Sequence, residues 1–493
     1  MNHEASSGLD RVAAIAASVE ARYGRLAEPM AAPELPGGQA ETVEQACVRD
    51  LLRIWGLDRE RFGSPEWNPL GDFVGPGGRI ALKPNWVNHW NASGAGMECL
   101  ITQTGVIEAV ALYAAKTKPA DIVVGDAPIQ GCDFGLLRAE QQVDAMVERL
   151  AAAGVPIRVA DFRRTVLLGT KVGAARREGV QGEDHFVEVD LGSESLLEPI
   201  SADSERFRVA MYNPERMTRQ HAPGRHRYLI ARDILAADLV ISLPKLKTHK
   251  KAGVTGALKN LVGINGNKEY LPHYRIGGEG RGGDSFAGGS TAKAAAERIH
   301  DWANRREQTD SLQRFADRSG SILQRIDARL RGDDSYEGSW HGNDTVWRMC
   351  LDLQRALLYA RVDGSFSGER QRRVIAITDA IIGGQGDGPL ANRPIASGFL
   401  TGGTSMPEIE ALHSRLMGFD PERIAIVREA FGRFRWPLTD GSMEQARLRA
   451  DSGETCLQDL GPHQGRTFDP ASGWRGHCEL TPAAMVATTE PQT

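Results

Sequence analysis

The sequence predicts an α/β fold: a mainly parallel sheet with helices on both faces, an antiparallel edge segment and an inserted helical pair. Three observations carry that expectation. From Arg79 onward, short β-branched runs alternate with turn residues and helix-like stretches, the pattern of strands joined by crossover helices. Charged residues alternate with apolar ones at 185–190, as on an antiparallel strand with one solvated face. Residues 291–331 are helical in periodicity, highly charged and poor in β-branched residues, which marks an insertion.

In chain order, residues 1–70 read as a helical amino-terminal extension, periodic near 8–27 and 42–55 with a Pro/Gly-rich break at 31–38. The α/β core spans 71–432. Its strands are expected at 80–87, 121–124, 156–160, 185–191, 206–212, 226–231, 238–243, 373–379 and 423–427, with the edge hairpin between about 160 and 230. After the insertion at 291–331, a helix at 344–361 with Val346, Cys350, Leu351, Leu353, Leu357 and Leu358 returns the chain to the core. Residues 433–493 read as an irregular tail whose end is disordered.

The 493 residues carry 59 Lys+Arg against 64 Asp+Glu, a net charge of -5. That balance argues against a dedicated nucleic-acid binder, which carries a basic excess. No apolar run reaches the roughly 20 residues that cross a bilayer, so no membrane partner is expected. The six cysteines, with no C-x-x-C pair, offer neither a zinc knuckle nor an iron–sulfur run and point to a cytoplasmic protein with reduced thiols. The oligomeric state stays open. Glycine, at 55 residues, exceeds the usual share of about 7%. It concentrates at 277–289, read as a mobile lid or linker because no strand precedes Gly278, Gly280 and Gly283, and at 383–388, read as a ligand-facing turn.

The chemistry gathers at four strand exits, where ligands of open α/β sheets bind. The first carries Lys83, Pro84 and Asn85; the second Gly125, Asp126, Ala127 and Pro128; the third Lys245, Lys247, Thr248, His249, Lys250 and Lys251; the fourth Asp379, Gly386 and Asp387. Four lysines and a histidine within 245–251 repel one another and need a partner: solvent, acidic side chains or an anionic ligand. Downstream, 253–263 holds Thr255, Lys259 and Asn260 and offers a helix start whose backbone N–H groups could face a phosphate or carboxylate. Asp126 reads equally as a turn former or as a metal or hydroxyl ligand. His249, His273, Asp126 and Asp379 form a candidate divalent-metal set, although their spacing does not establish one.

Taken in order, these pieces resemble the family called domain of unknown function 362: Lys83-Pro84-Asn85, Gly125-Asp126-Ala127-Pro128, the long block from Ala237 through Lys247-Thr248-His249 to Lys259-Asn260-Leu261-Val262-Gly263, Asp379 with Gly386-Asp387-Gly388-Pro389, and Leu416-Met417-Gly418-Phe419-Asp420. The resemblance covers about 79–430. Many relatives append a ferredoxin-like module with iron–sulfur clusters; this chain lacks those cysteines, so no cluster is carried over. Glu410 stands where the family often has an Asp. The resemblance implies a shared site without supplying a reaction.

The leading expectation is an enzyme acting on an anionic small molecule. In it Lys83, Asn85, Lys245, Thr255, Lys259, Asn260, Gly386 and Asp387 bind substrate, while His249, Asp126 and Lys247 do the chemistry. His249 is the first candidate for proton transfer. The lysines are taken as charged anchors, with a lowered-pKa base or nucleophile as the alternative. A second class is a cofactor or metal carrier, or a maturation protein, with little catalysis of its own.

Overall fold

The computed structural model describes residues 12–16, 42–168, 175–178, 181–306 and 311–481. At its centre is an 11-stranded sheet. Five adjacent strands, Arg373–Asp387, Leu239–Leu243, Arg79–Pro84, Asp121–Asp126 and Ile157–Asp161, run parallel in that spatial order. Alternate residues serve two cores, as the twofold period of a strand dictates. Ala81, Val123, Val240 and Ala376 join one apolar cluster. Their neighbours Ile80, Leu82, Ile122, Val124, Ile241 and Ile375 join the other.

Helices cover both faces. Val43–Trp55, Thr104–Ala115 and Val143–Ala152 pack in the second cluster. Val346–Tyr359 and Met406–Met417 pack in the first. Sequence explains the sharp helix ends: Thr42 and Gln45 make a reciprocal capping box, and Gly56 closes the helix in the left-handed region at φ 88°. The expected antiparallel edge is a hairpin of Thr165–Leu168 with Ala175–Glu178, beside a three-stranded sheet of Phe186–Asp190, Arg225–Ala231 and His221–Ala222. The inserted pair is Thr291–Arg305 and Ser311–Arg331.

Several expectations need correction. Within 8–27, residues Val12–Ala16 are a strand, paired with 400–402 and 447–449, so sheet pairing overrides local helical periodicity; the rest of 8–27 lies outside the described residues. Residues 423–427 are a turn and short helix. Asp420 caps the Glu422 N–H and Pro421 starts a helical turn, which outweighs the β-branched content. Of 206–212 only Phe207–Arg208 pairs as a strand. The strand expected to end at 379 continues to Asp387 and returns as Ala391–Gly403, so the glycines at 383–386 lie inside a hairpin. Of residues 277–289, 283–286 are buried, with Asp284 bonded to Thr345, Arg275 and Asp344, while 279–282 and 288–289 are exposed. The tail adds Arg447–Ala450 and Gly453–Cys456 to the sheet edge. Its expected disorder falls on 482–493, outside the described residues.

One buried carboxylate joins the small sheet to the helical layer. Asp352 is fully buried, pairs with Arg355 at 2.6 Å, and accepts from Tyr228 Oη and the Leu196 N–H, both at 3.0 Å, and from Ser195 Oγ. Removing it strands a buried guanidinium and two hydroxyls. Asp352→Ala is expected to cost about 3–5 kcal/mol in urea unfolding.

Candidate functional site

The strands carrying Asp379, Ser242, Lys83 and Asp126 are adjacent and parallel, so their carboxyl ends bring the four predicted exits to one edge. Lys83 is fully buried, with Nζ 2.8 Å from Asp126 Oδ1 and 2.6 Å from the Pro84 carbonyl. Asp126 Oδ2 accepts the Trp86 N–H at 2.6 Å. The segment facing this pair has no room for a side chain: a Cβ on Gly263 would lie 1.8 Å from Asp126 Oδ1. Asn260 links the same point to the neighbouring strand. Its Nδ2 donates to the Lys83 carbonyl and Ser242 Oγ, both at 2.9 Å, and its Oδ1 accepts from Asn85 at 3.2 Å. Asn85 Oδ1 is buried without a hydrogen-bond partner among the described residues.

The third exit differs from its expected loop form. Pro244 interrupts the strand, and Lys245–His249 continues as a strand of its own, between Asp379–Gly384 on one side and Gly253–Thr255 on the other. All five of its residues are buried. Gly384 permits the approach, since a Cβ there would meet the Cys99 carbonyl at 2.4 Å and Lys247 Cβ at 2.8 Å. Lys245 pairs with Asp379 at 2.9 Å, and Asp379 also accepts the Gln103 N–H at 2.9 Å. Lys247 donates to the Leu100 carbonyl. Thr255, opposite Lys247, has a buried hydroxyl with no hydrogen-bond partner among the described residues.

Lys259 stands apart. It sits on the one-turn helix Ala257–Asn260, is 9% exposed, and has no hydrogen-bond or ion-pair partner among the described residues. Its charge bears on Lys83, Lys247, His249, Lys251, Lys268 and His273. The backbone donors of its helix are already used: Glu410 Oε2 accepts the Leu258 N–H at 2.8 Å, and Gly256 makes space for that carboxylate. That N–H, part of the expected anion site, is therefore taken by one of the protein's own carboxylates. Burial raises the Glu410 pKa to about 7.

This crowding depresses the basic groups. Burial, then the charges of Lys245 and Lys259, bring Lys247 down to about 7. Burial first, with Lys259 adding to it, brings Lys251 and Lys268 to about 8. His249 falls well below the ordinary imidazole value through burial and then Lys259. Its Nδ1 accepts the N–H groups of Lys251 and Ala252 at 3.0 and 3.2 Å, so the neutral ring carries its proton on Nε2. That neutral ring is a donor through Nε2.

Not every candidate joins the cluster. Asp387 binds Lys250 at 3.3 Å and the Ser472 N–H at 2.8 Å, and the Gly386 N–H donates to the Asp469 carbonyl at 2.8 Å, so both hold the tail. Among the described residues, no three His, Cys, Asp or Glu side chains form a group able to hold a metal ion. Asp126 and Asp379 are tied to lysines, and His273 Nδ1 meets the Leu271 carbonyl at 2.7 Å. The proposed metal set of His249, His273, Asp126 and Asp379 does not assemble. A cavity of about 660 Å³ lined by Asp238, Arg373 and Ser405 lies at the opposite, amino ends of the strands.

Residues 194–414 match the family described as Domain of unknown function (DUF362). The match covers less than half of the 493 residues. A thylakoid-associated protein of Synechocystis sp. is 27% identical over 231 residues, 46% of this chain and 51% of that protein; the chain thus spans about half the length of that relative. A crystal structure of a protein from Thermotoga maritima covers 73% of this chain and 55% of its own at 8% identity, with a TM-score of 0.30. Lys245, Lys247, Lys259 and Asn260 all lie inside the DUF362 match, whereas Lys83 and Asp126 precede it.

Lys268 was missed as a member of the cluster, and Lys251 was read only as part of the charge run at the third exit. One signal could have found Lys268: the chain has only eleven lysines among 59 basic residues, and Lys83, Lys245, Lys247, Lys251, Lys259 and Lys268 gather here. Arginine serves elsewhere. A guanidinium stays charged, whereas a buried ammonium can lose its proton. The sign of the resulting pH dependence follows. Lys247 titrates at 10.5 when unfolded and about 7 when folded, so between these values the unfolded chain holds the extra proton and stability rises with pH. Below about 7 the dependence from this group vanishes. Lys247→Met is expected to flatten the rise in urea midpoint between about pH 7 and pH 9.

Proposed function

We propose that this protein is an enzyme acting on a small molecule bearing a carboxylate or phosphate, bound at the Lys259 cluster. The observation that carries this reading is Lys259, nine-tenths buried without a hydrogen-bond or ion-pair partner among the described residues, beside cations of which Lys83 and Lys245 are already paired with Asp126 and Asp379. An anion there offsets the mutual repulsion that adds to burial in lowering the Lys247, Lys251 and Lys268 pKa values. Lys259 is the anchor. Asn85 and Thr255, each with an unsatisfied buried oxygen, supply the polar contacts that orient a ligand. Lys247, close to half deprotonated at neutral pH, is the proton acceptor, and His249 donates from Nε2.

The complete burial of Lys83, Lys245 and Lys247 favours a second reading, a carrier that encloses its ligand. Native mass spectrometry and turnover assays separate the two, because a stoichiometric ligand without turnover identifies the carrier. We place the protein in the cytoplasm on the strength of its free cysteines. No helix among the described residues is long and apolar enough to cross a membrane.

The test is calorimetric binding across a panel of phosphorylated and carboxylated metabolites. Lys259→Met is expected to weaken binding of the responding anion by about 30-fold or more while the protein stays folded, the scale of losing a buried charge partner. Equal affinity in a folded Lys259→Met protein refutes the assignment.

A further inference from the structure

The inserted helix Ser311–Arg331 is turned inside out. Its buried residues are Gln313, Gly320 and Asp327, one stripe of seven-residue spacing facing Thr291–Arg305. Specific contacts fix that register. Gln313 Nε2 donates to the Ala303 carbonyl at 2.6 Å, Asp327 accepts from Ser290 Oγ at 2.9 Å, and a Cβ on Gly320 would lie 2.6 Å from His300 Nε2. The apolar residues are therefore held outward: Leu312, Phe315, Ile322, Ile326 and Leu330 are 54%, 68%, 55%, 50% and 83% exposed. At helical spacing they form one ridge along about 30 Å of helix. Such a contiguous exposed ridge marks an interaction surface.

The occupant is indicated by charge. Arg314, Arg318, Arg325 and Arg329 are exposed, fall in a row beside the ridge, and have no ion-pair partner among the described residues. We propose that this face docks in the plane of an anionic lipid surface, the ridge entering the acyl boundary and the arginines meeting headgroup phosphates. A second copy laid antiparallel on the ridge would set arginine row against arginine row, which opposes self-association. The sequence expectation of no membrane partner rested on the lack of a spanning segment, which bears on crossing a bilayer and not on lying against one.

Flotation of the full chain with vesicles tests this. The protein is expected to float with phosphatidylcholine vesicles containing about one-third phosphatidylglycerol, not with phosphatidylcholine alone, and to be released by added salt. R318E/R325E/R329E and, separately, F315S/I322S should each lower vesicle affinity at least about tenfold with the melting temperature unchanged. Failure of the parent protein to float with anionic vesicles overturns the proposal, as does equal flotation of the folded charge-reversed protein. A dimer dissolved by F315S/I322S, in a protein that ignores vesicles, overturns it in favour of a second copy.

Discussion

The arrangement depends on one electrostatic imbalance. Six lysines gather at one edge of a sheet, two of them, Lys83 and Lys245, paired with Asp126 and Asp379, and Lys259 without a counter-ion among the described residues. Packing like charges in a low-dielectric interior is costly unless they deprotonate or find an anion. The fold answers partly by the first route, through the depressed Lys247, Lys251 and Lys268. The proposed ligand supplies the second.

Much of the surrounding sequence serves this crowding. Gly263 admits the Lys83–Asp126 pair, Gly384 admits the Lys247 strand, and Gly256 admits Glu410. Asn260 fastens the first exit to the third through Lys83 and Ser242. The tail closes over the hairpin, with Trp474 Nε1 donating to the Lys250 carbonyl at 2.8 Å and Ser472 meeting Asp387. These contacts fix the lysine cluster on strands, an arrangement that favours precise positioning of side chains. The proposed lipid-facing ridge lies on a separate element, connected to the site by the 333–345 segment, where the Glu337 carbonyl accepts from Lys251.

What the sequence revealed follows from what is local. Strands such as 121–126 and 239–243 are buried on both faces and read as β-branched runs, and their exits were legible because residue type changes abruptly at Lys83 and Asp126. The strand Lys245–His249 was illegible: alternating lysines have poor strand propensity, and only pairing with the long 373–387 strand makes them one. Likewise Val12–Ala16 becomes a strand through partners hundreds of residues away. Glu410 was visible as a departure from the family, but its occupation of the Leu258 N–H is a tertiary contact that no local pattern encodes.

The central claim is that the buried lysines are held in an unbalanced positive cluster awaiting an anion. It is tested most directly by the pH titration of Lys247 in protein labelled with carbon-13 at lysine Cε, a spectrum of only eleven residues. The account predicts a midpoint of about 7 in the protein alone, moving upward when inorganic phosphate is added. A midpoint near the ordinary lysine value of 10.5 in the protein alone would contradict it.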